Sequence, residues 1–179
     1  MADTNFDRIR GWIDTFADDV AALQKLVGEA SAAREARLLA AGALSYLVTR
    51  LDLIPDWEET CGIIDDAMIL RVAAALASEK DLGSLDAGAL RAVGKLANDA
   101  DGVQAFLGAD LYPRLRKYVE DLTHKVVRGR HPNAIVDDTK QRAQLDAEVK
   151  DELKRLPPAP MSDPDRVARV VKNYLTSKL

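Results

Sequence analysis

This chain of 179 residues is poor in the groups that most often carry chemistry or covalent bracing. It has a single cysteine, Cys61, so no internal disulfide can form, which fits a reducing compartment. It has only two histidines, His124 and His131, and neither lies near the acidic stretch at 51–66, so a zinc or di-iron centre of ordinary type is not expected there. There is no G-x-x-x-x-G-K, no G-x-S-x-G and no H-E-x-x-H, so the common catalytic signatures are missing. No apolar run reaches the ~20 residues of a membrane span. The longest, ARLLAAGALSYLV (36–48) and AMILRVAAALA (67–77), are short and interrupted by Arg37 and Arg71. The opening MADTNFDRIRGW lacks a basic-then-apolar pattern, so no signal peptide is expected, and the setting is read as cytoplasmic. The net charge of -4 gives no reason to expect nucleic acid as the main partner.

What is present is helical periodicity. Sustained alternation of period two is absent, so the expected fold is all-α, a compact bundle of six to eight helices. Phe6, Ile9, Ile13, Phe16, Val20 and Leu23 mark one helix face, with Thr4 or Asn5 as its cap. Helices follow over about 31–50 and 63–79. The latter is apolar nearly all round and therefore central. Ser84 is expected to cap a helix over about 85–98, with a short one after Asp101. Another carries the stripe Leu111, Leu115, Tyr118, Leu122, Val126 and ends before Gly129. Residues 135–156 read as one charged helix with Leu145, Val149 and Leu153 inward. LPPAP (156–160) is a stiff break. Ser162 or Asp163 then caps a last helix whose inner face is Val167, Val170, Val171 and Tyr174. The expected organisation is a core of about 1–130, built on a helical hairpin at about 36–78. Residues 131–179 form a helical extension packed on that core or on a partner.

The densest signal is LDLIPDWEETCGIIDD (51–66), which holds Asp52, Asp56, Glu58, Glu59, Asp65 and Asp66 and no cation. Pro55 disfavours helix at Ile54, and Gly62 lets the chain bend, so this is a turn between two helices. Asp65 and Asp66 fall in the first turn of the second helix, where carboxylates accept from unpaired N–H groups and meet the positive end of the dipole. A second reading is a cation site. Asp52, Asp56, Asp65 and Asp66 lie on two sides of one turn, and a hard cation such as Mg²⁺, Mn²⁺ or Ca²⁺ takes oxygen ligands of that kind. A third is pairing of those acids with the flanking Arg50 and Arg71. Trp57, inside the turn, either anchors it to the core or presents an aromatic contact to a partner. Cys61, among acids, reads as a small buried hydrophobe.

The spacing Asp52-x-Ile54-Pro55-Asp56, then Gly62-x-Ile64-Asp65-Asp66, between two aliphatic helices resembles the YkvA-like domain, a bacterial domain of unknown function. The resemblance runs from about Leu38 to Leu76. It implies a buried helical hairpin and brings no established activity. The chain departs from it at Glu58, Glu59 and Thr60, where relatives carry apolar residues and a second proline.

The segment PRLRKYVEDLTHKVVRGRH (113–131) holds six basic residues against two acids. Arg114, Lys117, His124, Lys125 and Arg128 fall on the side away from the apolar stripe. They read as a solvated face, a phosphate or nucleic-acid surface, or a face docked on acids of the same chain or a second copy. Together these features lead to a non-catalytic interaction or scaffold module that meets a protein partner or forms a homo-oligomer. The alternative is a divalent-cation-dependent enzyme, such as a hydrolase, built on the acidic turn.

Overall fold

The computed structural model describes residues 4–49, 52–55, 62–155 and 163–179, with side chains from Asp7 onward. Among them are eight α-helices and no strand: α1 (Thr4–Asp14), α2 (Phe16–Gly28), α3 (Arg34–Tyr46), α4 (Ile64–Ser78), α5 (Ala87–Asp121), α6 (Pro132–Asp137), α7 (Thr139–Leu153) and α8 (Pro164–Lys178). The all-α bundle matches the periodicity. Helix α4 is buried on nearly every side, from Ile64 through Ala77. It packs against α3 and α5, so the α3–α4 hairpin is the centre of the bundle.

Several boundaries move for local reasons. The single helix expected over Phe6–Leu23 breaks at Thr15, whose backbone leaves helical geometry at φ -97, ψ 1. The Thr15 hydroxyl lies 3.2 Å from the Gly11 carbonyl and 2.9 Å from an Asp19 carboxylate oxygen. A hydroxyl that competes for backbone partners in this way weakens a helix at that position. Asp86, not Ser84, caps α5, its carboxylate accepting from the Ala89 N–H, while the Ser84 N–H donates to the Ser31 hydroxyl. Three expected segments then join into one long helix with a kink at Gly108 (φ 81, ψ -178). That backbone is open to glycine and strained for other residues. Pro113 follows the kink closely.

Helix α5 also stops earlier than its apolar stripe suggests. A 3-10 turn at Leu122–His124 ends it, and a tight reversal at Val127–Arg130 follows, with Arg128 at φ 49 and Gly129 at φ 75. The helix expected over 135–156 is two, because Asp138 adopts extended backbone and accepts from the Lys140 N–H as the cap of α7. Asp163 caps α8, with Pro164 at its first position. Leu145 and Val149 of α7 and Val167, Val171 and Leu175 of α8 join the same buried cluster as α3 and α4. The 156–160 break, Ser162, Cys61 and Trp57 lie outside the described residues.

One close approach fixes how α3 sits. A Cβ at Gly42 would lie 2.9 Å from the backbone carbonyl carbon and oxygen of Leu122. Backbone cannot yield as a flexible side chain does. Gly42→Ala is therefore expected to cost about 1–3 kcal/mol of stability. Gly94→Ala, at a helical position of α5 with nothing within 4 Å of the added carbon, should instead gain about 0.5–1 kcal/mol. Urea unfolding of both variants checks the contrast.

Candidate functional site

The motif loop is built around one carboxylate. Asp65, at the start of α4, is completely buried. Its Oδ2 accepts from the Tyr46 hydroxyl at 2.5 Å and from the Ile54 N–H at 3.0 Å. The Tyr46 hydroxyl in turn accepts from the Leu53 N–H at 2.5 Å. Tyr46 closes α3, Leu53 and Ile54 form the loop, and Asp65 opens α4. A single acceptor therefore ties three consecutive segments together. Helix α3 ends at Tyr46, well before Pro55, so the N–H groups of Leu53 and Ile54 have no helical acceptors, and Tyr46 and Asp65 supply them.

Burial pushes the Asp65 carboxyl up, to about 7, against the opposing pull of the Tyr46 hydroxyl and of the N–H groups of Ile54, Asp65 and Asp66. Its second oxygen, Oδ1, has no hydrogen-bond partner. Burial, then the nearby negative charge of Asp65 and Asp66, raises the Tyr46 phenol far above the ordinary tyrosine range, so it stays a donor. Tyr118 of α5 stacks edge-on against Tyr46, ring centroids 6.1 Å apart. Its own phenol is raised to about 12, by burial first and then by Asp65 and Asp52. From the outer side, the Lys178 ammonium at the end of α8 donates to the Asp52 backbone carbonyl at 2.6 Å. The loop is thus held from within by Asp65 and Tyr46 and from without by Lys178.

The other acids of the motif divide around this centre. Asp52 is buried and Asp66 half-buried. Asp56, Glu58, Glu59 and Arg50 lie outside the described residues. Among the described residues, no group of three or more His, Cys, Asp or Glu is placed to hold a metal ion. Asp65 is committed to Tyr46 and Ile54.

Arg71 does not serve the Asp65 carboxylate, contrary to the pairing expected from their separation. The fully buried guanidinium bonds Asp19 of α2 at 2.8 Å and the Ala67 carbonyl at 3.0 Å. It lies 5.1 Å over the Trp12 ring. Its Nε is 3.7 Å from an Asp99 oxygen, too long for a hydrogen bond. Arg71 lies two turns along α4 from Asp65 and faces α2 and α5. Burial draws both partners toward their neutral forms, Asp19 upward and Arg71 downward, and their mutual attraction opposes it. The pair is a core element joining α2, α4 and α5.

A cleft of about 580 Å³ opens beside the hairpin, between Val48 and Thr49, the turn at 125–128, and the last turns of α7. Val126 stands 58% exposed at its edge. Most of its charges are matched: Arg128 bonds Glu148 and pairs with Glu152, Arg155 also pairs with Glu152, and Lys125 instead lies over the Tyr118 ring. Arg130, from the same turn, is buried against Glu148. The arginines of the basic segment that read as a nucleic-acid or docking face are thus paired within the chain. Arg114 pairs with Asp110 and Lys117 with Asp121.

His124 and His131 are seven apart and would share a helix face only if the helix ran on through Gly129, yet the tight turn itself sets their rings 6.5 Å apart. His131 Nδ1 accepts the Asn133 N–H and caps α6. Ligating a metal through its other nitrogen would put a proton on Nδ1 and break that cap. Tyr46 was also missed. It reads as one more apolar position of α3, and its only sequence signal is a position just before the break.

In a comparison with known families, residues 36–71 match a family described as a protein of unknown function (DUF1232). The match covers α3, the motif loop and the first half of α4. It includes Gly42, Tyr46, Asp65 and Arg71, and spans about a fifth of the chain. No curated protein matches, and no solved structure matches.

Two measurements test the centre. Tyr46→Phe leaves the Leu53 N–H without an acceptor and Asp65 with one donor fewer, and should cost about 1–3 kcal/mol in urea unfolding. The folded chain keeps the Asp65 proton over a pH range in which the unfolded chain, at about 3.8, has released it. That contribution is fully present below the unfolded value and is lost as pH rises through about 7. The stability of the native chain relative to Asp65→Asn should therefore fall as pH is raised across this window.

Proposed function

We propose that residues 36–78 form a YkvA-like domain and that the chain acts without catalysis, as a helical protein-interaction module of the cytoplasm. The observation that carries this reading is the burial of Asp65. A catalytic or metal-binding carboxylate must meet substrate, cation or water. Asp65 is instead sealed, with Oδ2 taken by Tyr46 and Ile54. The motif then serves the fold: α3 stops at Tyr46, and the acid and the tyrosine satisfy the loop amides of Leu53 and Ile54. The D-x-I-P-D and G-x-x-D-D spacing, falling inside the family match, supports the finer family assignment. No described helix is long and apolar enough to cross a membrane. The single cysteine is consistent with an intracellular setting.

Thermal unfolding distinguishes this from a cation-dependent enzyme. The native chain and an Asp65→Asn, Asp66→Asn double variant are melted in chelator and then with Mg²⁺, Mn²⁺ or Ca²⁺. A bound cation at ~100 times its dissociation constant would add roughly 2.7 kcal/mol, a shift of several degrees. The expected result is no shift with any cation, together with a lower melting temperature for the variant in chelator. A rise in the native chain that vanishes in the variant would replace the structural role with a cation site.

A further inference from the structure

Helices α1 and α8 carry stripes of opposite charge and meet neighbouring points of α5. On α8, Arg166, Arg169 and Lys172 are exposed, the two arginines on the side opposite the buried Val167, Val171 and Leu175 and Lys172 at its edge. None has an ion-pair partner among the described residues. Lys172 rests its ammonium 5.3 Å over the Phe106 ring. Asp165 is the acid on that side. Across α1 and the start of α2, Asp7, Asp14 and Asp18 are exposed opposite the buried Ile9, Trp12 and Phe16. They too have no ion-pair partner among the described residues, and Arg8 and Arg10 flank them. Helix α1 meets α5 at Gly102, where Trp12 and Arg8 lie 3.3 and 3.4 Å from the position of an added Cβ. Helix α8 meets α5 at Phe106, one turn further along. By contrast, Arg128 and Arg155 in the cleft are neutralised within the chain.

We propose that this face docks a second copy of the same chain, the acidic stripe of α1 and α2 in one copy lying against the basic stripe of α8 in the other. The inference deepens the interaction-module reading and rests on it. Stripes of opposite sign on two helices that pack at neighbouring points of α5 are self-complementary. A two-fold axis running between and along them sets acid against base twice, as a closed isologous contact requires. A stripe facing its own kind would repel, so charge fixes the orientation. Exposed pairs are individually weak and strongly screened, so the association is salt-dependent and readily reversed.

Sedimentation equilibrium over a concentration series tests this at about 10 mM salt, where screening reaches roughly 30 Å, and at about 1 M, where it falls to roughly 3 Å. The expected result is a dimer at low salt and a monomer at high salt. Reversal of the basic stripe (R166E, R169E, K172E) or of the acidic stripe (D7K, D14K, D18K) should each give a monomer at low salt. Mixing the two should restore a dimer of one copy of each. A control reversal on other faces (K80E, K140E, K150E) matches the net charge of the first variant and should dimerise like the native chain. Circular dichroism confirms that each variant is folded.

A native chain that stays monomeric at low salt overturns the inference. So does a dimer that survives either reversal, or folded variants that fail to pair on mixing. If the monomeric native chain instead binds vesicles of anionic lipid and the α8 reversal abolishes that binding, the basic stripe belongs to a bilayer. A monomer without any cation-induced shift would remove the self-docking and leave the non-catalytic reading intact.

Discussion

Asp65 reaches Tyr46 and Ile54 with the same oxygen, and that shared acceptor ties helix α3, the motif loop and helix α4 into one unit. Remove the acceptor and the amides of Leu53 and Ile54 lose their anchoring network in a place that water does not reach. An unpaired buried amide costs as much as a lost hydrogen bond, so the loop would have to open or shift. The rest of the hairpin follows from this. Because the loop is closed from within, α3 and α4 can both be apolar on most sides and still meet at a fixed register, and α5 can lay Tyr118 across their junction.

The core holds two buried charged side chains from one helix, and it treats them differently. Arg71 is surrounded by opposite charge, a carbonyl and an aromatic face, which together replace much of its lost hydration. Asp65 receives donors from a hydroxyl and from backbone amides but no cation, so burial moves its proton affinity upward instead. The first arrangement joins three helices. The second joins three consecutive segments. Within the acidic turn, Asp65 is therefore a local acceptor for a phenol and a loop amide.

Much of this was legible in the residues. The period of the apolar positions set the all-α class and the centrality of α4, and the proline–aspartate spacing located the turn. Less legible was which acid would be sealed. Asp65 and Asp66 are adjacent and chemically identical in sequence, and only the direction in which each leaves α4 separates them. The role of Tyr46 was hidden because its hydroxyl serves an amide seven residues further along, a pairing that no periodicity describes. Arg71 looked like a partner for the turn because it is near in sequence, but α2 and α5 supply carboxylates on the side that it faces. The break at Thr15 and the split at Asp138 turn on single side-chain hydrogen bonds, which apolar patterning does not see.

The bond from Lys178 to the Asp52 carbonyl closes a span of 126 residues. Contacts of such separation form late, because the entropy of closing the intervening chain must be overcome before they return anything. During synthesis the hairpin can assemble its inner acid and tyrosine as soon as α4 has emerged, while the outer side of the same loop waits for α8. Of the two attachments of the loop, only the outer one therefore depends on α8 being in place.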